Sequence, residues 1–362
     1  MEIMLSRSAI RAPGNTALLA LLLAATAGAQ EDPREGGLPD GQVERVLAAM
    51  GTTAHVRVEA PTRAAAVAAS EAAVRALEAT EGRLSTWGET SELARLNRAP
   101  VGVPFELSAA LRAELSLALE VSRASGGAFD PTVGALVRAW NLRGGGRVPT
   151  EPELTAARAS TGRDLLHLDA LGATRTAEGL LLEEGGFGKG AGLDAARVAL
   201  RDAGALRAEI DLGGQLLLFD AAREPRAFET LLAHPRARER PIATLRLAPG
   251  SLATSGNSER AVVVDGVRLG HLLDPVTGHF ADDFGSITVF TAGALRADAL
   301  STALYVKGPE RALAWASEHD EVEVLVALAP AGAPKGVRLI ASAGWRDRID
   351  VLRGDVQLEF VP

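Results

Sequence analysis

The chain has 362 residues, of which 47% are apolar but only 4% aromatic, with no cysteine and a formal net charge of −8. This composition excludes a disulfide-built scaffold, thiolate chemistry and a cysteine-linked lipid anchor, and the lack of a long basic tract argues against nucleic acid as the main partner. So long and apolar a chain can bury a large core rich in Ala, Leu and Val, as one large domain or two lobes.

The N-terminus has the pattern of a secretory signal. Arg7 and Arg11 form a positive region, residues 17–25 are apolar, and Ala27-Gly28-Ala29 is a small-x-small cleavage site. The apolar run is short for a membrane span. The pattern predicts a signal peptide over 1–29, a polar linker over 30–42 and a folded domain over 43–362. It also predicts a soluble exported protein, periplasmic if the source is Gram-negative.

Downstream, helix and strand patterns alternate without a repeat. A short strand is expected at 56–58. Ala-rich helices are expected at 62–81 and at 107–125, the second stopped by Gly126-Gly127. Another follows the glycine cluster, at 192–203. Strands are expected at 206–212, 243–247, 262–269 (a hairpin over Asp265-Gly266), 286–291 and 322–327, with two more closing the chain. The fold class is α+β, with mixed, mainly antiparallel sheets and flanking helices rather than a doubly wound sheet.

Several segments carry candidate chemistry. Asp298 and Thr302 stand four apart on a predicted helix, so they share one face and offer a carboxylate and a hydroxyl. Such hard oxygens suit Mg²⁺ better than zinc, although Asp298 could equally charge the helix N-terminus. Gly185-Gly186-Phe187-Gly188-Lys189-Gly190 fits neither a P-loop nor a dinucleotide fingerprint. It runs into a helix, where backbone amides and Lys189 could hold a phosphate, or it is only a tight turn. Asp130 precedes a proline turn and reads as a helix cap. Asp211-Leu212-Gly213-Gly214 is either a close-approach turn for a ligand or a bulge. His271, three residues before Asp274, is either an acid–base group or a structural histidine. The histidines form no zinc signature.

Taken in order, these segments resemble the ApbE family of flavin transferases, the FAD:protein FMN transferases. The match runs through MGTTAHV from Met50, LSTWGETSELARLN from Leu84, GGAFDPTVGALVRAW from Gly126 and GGFGKGAGLDAA from Gly185. It continues through EIDLGGQLL from Glu209, LATSGNSER from Leu252, HLLDPVTG from His271 and ADALSTALYVKG from Ala297. Each segment alone is weak; eight in order are specific.

The resemblance implies an elongated cleft between two lobes that binds FAD, with a divalent ion, Mg²⁺ or Mn²⁺, at its pyrophosphate. It implies cleavage of FAD, release of AMP and transfer of FMN to a threonine hydroxyl of an exported or membrane-attached flavoprotein acceptor. Carried over by position, the metal ligands are Asp298, Thr302 and the backbone carbonyl of Gly186. Met50, Trp87, Ala128, Phe129, Asp130, Glu183, Lys189 and Leu272 (or Leu273) would contact FAD. His271 falls at the candidate catalytic histidine, with Asp274 as an alternative proton acceptor. The chain departs from the family in Glu183, where an Asp is common, in Gly188 for Ala, and in Asn257-Ser258 for Asp-Tyr. A metal-dependent FAD pyrophosphatase and a non-catalytic exported FAD-binding protein are the alternative readings.

Overall fold

The structure, a computed structural model, describes residues 40–257, 262–264, 267–329 and 336–361. The signal-peptide expectation and nearly all of the linker fall outside these residues, as do Ser258, Glu259 and Arg260 of the LATSGNSER segment.

Strands β1 (Gln42–Ala49) and β2 (Thr52–Glu59) form a hairpin. Its turn, Met50-Gly51, has φ of 51° and 72°, the primed geometry that matches strand twist. Helix α1 (Arg63–Leu84) is capped by the Thr62 hydroxyl, which accepts from the Ala65 amide. Helices α2 (Glu92–Arg98) and α3 (Ala109–Ala124) open on Ser91 and Ser108 caps in the same way. The expected glycine stop after α3 is present. Gly126 and Gly127 both have positive φ, and the Gly127 amide donates back to the Ser122 carbonyl.

Next come α4 (Gly134–Ala139), α5 (Glu151–Ala159) with a Thr150/Glu153 capping box, and the ribbon β3 (Leu166–Asp169) and β4 (Gly172–Arg175). Helix α6 (Gly188–Asp202) leads to the hairpin β5 (Arg207–Leu212) and β6 (Gln215–Asp220), then the hairpin β7 (Phe228–His234) and β8 (Ala237–Leu247). After β9 (Gly250–Gly256), β10 (Val262–Val264) and β11 (Val267–Leu269) pair antiparallel, as the 262–269 hairpin expectation requires. The chain closes with β12 (Gly285–Thr291), α7 (Ala294–Lys307), α8 (Pro309–Ala316), β13 (Glu323–Leu328), β14 (Val337–Ala341), β15 (Ile349–Val351) and β16 (Val356–Phe360).

One nine-stranded sheet runs β1-β2-β5-β6-β9-β12-β13-β14-β16, antiparallel except for the parallel β14–β16 pair. This is the α+β, mainly antiparallel class the pattern predicts. Period-2 alternation sends the two faces of the sheet into different cores. Val324 and Val326 join Ile287, Val289 and the helical side chains Leu115, Leu300 and Leu304. Leu325 and Ala327 face the second sheet, β15-β8-β7, through Leu232, Ala243, Leu245 and Leu247.

A third cluster joins β2 and β5 to α1 and α6 through Val56, Ile210, Ala69, Ala73, Leu77, Leu193 and Ala196. Alanines at these contacts let the helices approach closely, which is what an aromatic-poor core needs to reach close packing.

Part of the glycine cluster at the start of α6 serves packing. Its later glycines lie inside the helix rather than before it. A Cβ on Gly190 would stand 2.3 Å from the Ala294 carbonyl oxygen, and one on Gly192 2.6 Å from Met50 Sδ. These glycines let α6 seat against the start of α7 and against the β1–β2 turn.

Candidate active site

A cleft of about 1040 Å³ is lined by residues of the inner strands β6, β9 and β12 of the large sheet and by the turns β1–β2 and β5–β6. That is the size of a large small-molecule site. Of the residues the sequence singled out, Met50, Trp87, Ala128, Phe129, Asp130, Glu183, Gly186, Lys189, His271, Leu272, Asp298 and Thr302 line it, and Asp274 does not.

At its floor, Asp298 lies in the second turn of α7 and is only 5% exposed. Its carboxylate accepts from the Lys189 ammonium at 3.0 Å through Oδ1 and from the Gly190 amide at 3.0 Å through Oδ2. A buried carboxylate needs such partners. One turn on, Thr302 presents its hydroxyl toward Gly186, where a Cβ would fall 3.6 Å from Thr302 Oγ1 and 3.1 Å from the Phe129 ring. Thr302, Gly186 and Phe129 therefore meet, and Gly186 fits because it has no side chain.

The Asp298 carboxylate and the Thr302 hydroxyl are hard donors of the kind Mg²⁺ or Mn²⁺ takes. Among the described residues no group of three His, Cys, Asp or Glu forms a self-sufficient metal cage. A cation held by Asp298, Thr302 and Gly186 would therefore complete its shell with water or ligand oxygens, as Mg²⁺ sites on phosphates do.

Asp194, which the sequence reading passed over, fixes this geometry. Helix α7 opens on Gly293 and has no side-chain cap of its own. Asp194 of α6 substitutes: its two oxygens accept from the Ala294 and Leu295 amides, both at 2.9 Å. The carboxylate satisfies orphan donors and complements the positive helix end. Gln215 Nε2 donates to the Ala294 carbonyl at 2.9 Å, and the Ser301 hydroxyl bonds that of Ser255 on β9 at 2.9 Å. Asp298 thus projects from a helix start tied to α6, β6 and β9.

The flanking wall is polar. Glu183 meets Arg143 Nη2 with both oxygens, at 2.7 and 2.6 Å. Burial pushes the Glu183 carboxyl up to about 6, the neighbouring Glu184 charge adds to the rise, and Arg143 opposes it. Glu184 accepts from the Thr86 amide at 3.0 Å and the Thr86 hydroxyl at 2.5 Å. The Arg143 guanidinium also lies over the Trp87 ring, 4.7 Å from its centre. Arg143 sits in the irregular stretch after α4, where periodicity carries no signal.

Two expectations change in their detail. Asp130 does not cap α4, which starts at Gly134. Its Oδ1 accepts from the Thr132 amide and hydroxyl at 2.9 and 2.6 Å, and its Oδ2 from the Arg163 amide at 2.8 Å. The side chain therefore closes an Asx turn at the cleft wall. Asp274 is likewise spent on its own turn, accepting from the Val276 amide at 2.8 Å and the Thr277 hydroxyl at 3.1 Å. His271 alone of that pair lines the cleft. Its backbone amide donates to Asn257 Oδ1 at 3.2 Å. Trp140 anchors the following turn, donating from its indole to the Gly278 carbonyl at 2.7 Å and packing on Phe280.

The β5–β6 turn resolves as a two-residue primed turn, Gly213-Gly214, with φ of 59° and 88° at the cleft rim. Strand β7, which the pattern did not suggest, pairs with β8, whose second half is the strand expected at 243–247, and their hairpin lines the cleft through Leu231, Leu232, Ala233, His234, Pro235 and Arg238.

The ApbE family profile matches residues 50–326. This chain belongs to the ApbE family. It is 34% identical over 339 residues to an FAD:protein FMN transferase of Treponema pallidum, covering 88% of this chain and 91% of that one. It is 31% identical over 295 residues to the FAD:protein FMN transferase of Vibrio cholerae, covering 80% and 88%. The solved structure of the Vibrio cholerae flavin transferase ApbE superposes with a TM-score of 0.72 at 27% identity, over 86% of this chain and all of that one. An ApbE-family protein from Thermotoga maritima superposes with a TM-score of 0.73 at 28% identity, over 79% and 94%.

Proposed function

We propose that this chain is an FAD:protein FMN transferase that cleaves the FAD pyrophosphate and joins FMN to a threonine hydroxyl of a flavoprotein acceptor, releasing AMP. The observation that carries this reading is the joint position of Asp298, Lys189, Thr302 and Gly186 on the cleft floor, in a chain whose relatives bear that name.

In this reading Asp298, Thr302 and the Gly186 carbonyl hold Mg²⁺, with Mn²⁺ as the alternative. The ion supplies neutralisation of phosphate charge, greatest as the P–O bond breaks. Lys189 adds a fixed positive charge beside it. The apolar wall of Phe129, Ala128 and Leu272 receives the ligand's rings and excludes water. The acceptor oxygen attacks the FMN-side phosphorus, the bond to the AMP phosphate breaks, and AMP leaves with that bridging oxygen. His271 takes the acceptor's hydroxyl proton, since its ordinary pKa lies near neutrality and Asp274 is engaged elsewhere.

Export through residues 1–29 is part of the proposal and rests on sequence alone. The test is incubation with FAD, Mg²⁺ and a domain carrying the acceptor threonine. AMP release with an acceptor mass gain of one FMN moiety supports the transferase. Free FMN with AMP and an unmodified acceptor favours the pyrophosphatase, and bound, intact FAD favours a binding protein.

A further inference from the structure

Trp87 is 71% exposed at the cleft lip, an unusual place for the largest apolar side chain. It is nevertheless held. The Arg143 guanidinium covers one indole face at 4.7 Å. The guanidinium plane is fixed from elsewhere: Glu183 binds Nη2 at 2.6 and 2.7 Å, and Nη1 donates to the Thr86 carbonyl at 2.8 Å. Thr86 is in turn clamped by Glu184 through its amide and hydroxyl. Four residues outside the reacting centre thus set the orientation of one aromatic ring that stays largely exposed at the cleft. Fixed rings bind flat ligands well because little rotamer freedom remains to be lost.

We propose that Arg143 is a positioning residue for flavin binding: it holds Trp87 as a platform whose open face stacks on the isoalloxazine ring. The assignment rests on the FAD reading of the cleft. Glu183 acts here through Arg143, gripping with both carboxylate oxygens a guanidinium that lies over the indole. Arg143 is suited to the task because a planar, delocalised cation both stacks on an indole and bonds a carboxylate edge-on, whereas a lysine does only one at a time.

The test uses the full chain and its variants Arg143→Ala, Arg143→Lys and Trp87→Ala, with FAD and AMP as separate ligands. Binding is read by quenching of flavin fluorescence and by calorimetry. Arg143→Ala and Trp87→Ala are each expected to weaken FAD binding tenfold or more, with AMP affinity within about twofold of the parent. The double variant should be little worse than either single one, since both remove one unit. Arg143→Lys should recover only part of the affinity. In turnover, KM for FAD should rise by a larger factor than kcat falls, and the bound flavin should lose much of its stacking quench. Because Trp87 is exposed, its variant tests the platform even if Arg143→Ala disturbs folding. Unchanged FAD affinity and quench in Trp87→Ala and Arg143→Lys, or equal losses for FAD and AMP, would overturn the assignment. A parent chain that binds no FAD would overturn the functional reading itself.

Discussion

Lys189 Nζ stands 3.0 Å from Asp298 Oδ1, so the carboxylate placed to bind a divalent ion already carries a monovalent counter-charge from the neighbouring helix. With Asp298 almost fully buried, that pair and the Gly190 amide offset its desolvation. A divalent ion arriving at Asp298 would meet a competing cation. Lys189→Met is therefore expected to bind Mn²⁺ alone several-fold more tightly by calorimetry, yet to bind FAD at least tenfold more weakly. Weaker metal binding in this variant would show that Lys189 supports the ion site instead of competing for it.

Asp194 should be felt mainly through α7. Asp194→Ala leaves the Ala294 and Leu295 amides without their carboxylate acceptor. Losing a helix N-cap costs about 0.5–2 kcal/mol, and the upper half of that range is expected where two charge-assisted bonds go together. Denaturant unfolding measures it as a lower midpoint at unchanged slope. Turnover should fall as well, because Asp298 lies one turn beyond the cap.

Gly190 shows why sequence carried the site further than the fold. The glycine run was legible as special, but its spacing could not say whether the glycines cradle a ligand or let two helices touch. A Cβ 2.3 Å from the Ala294 carbonyl oxygen gives Gly190 the second role, while Gly185, Gly186 and Gly188 line the cleft. Gly190→Ala should cost about 1–3 kcal/mol by overpacking and displace Asp298 along with α7. A thermal melt unchanged within error would show that the contact yields freely.

The site residues were legible because each sits in a short ordered motif, and all of them reach one cleft. Arg143, Asp194 and strand β7 were not. Arg143 follows a short helix in an irregular stretch, and Asp194 reads as one more polar residue on a helix face. Strand β7 (Phe228–His234) has no clean alternation, since Leu231 and Leu232 face opposite ways and the former is exposed. Asp130 and Asp274 illustrate the reverse case. Asp130 reads in sequence as a helix cap and Asp274 as a proton acceptor, and each instead accepts from the amide two residues ahead.

Glu183 gives a pH signature. Its carboxyl is raised from the ordinary value of 4.5 to about 6, so the folded state disfavours its ionised form. Its contribution to stability is then fully present below about pH 4.5 and is lost as pH rises through about 6. Glu183→Gln should flatten that portion of the stability–pH curve. Grip on Arg143 runs the other way, strengthening as Glu183 ionises above about pH 6. A stability curve for Glu183→Gln that parallels the parent across pH 4.5–7 would rule out this source.

His271→Ala should lower kcat by about 10²–10⁴-fold while leaving FAD binding largely intact, if the histidine takes the acceptor proton. Single-turnover AMP release separates the two. A parallel loss of FAD affinity would make His271 a binding group.

The most direct measurement compares the parent chain with Asp298→Ala in FAD and Mg²⁺ with an acceptor domain, reading AMP by chromatography and acceptor mass by mass spectrometry. The expected result is AMP with an acceptor heavier by one FMN moiety for the parent, dependent on Mg²⁺, and neither product for Asp298→Ala. Full FMN transfer by Asp298→Ala, or by the parent without any divalent ion, would contradict the assignment of the cleft floor as the metal and pyrophosphate site.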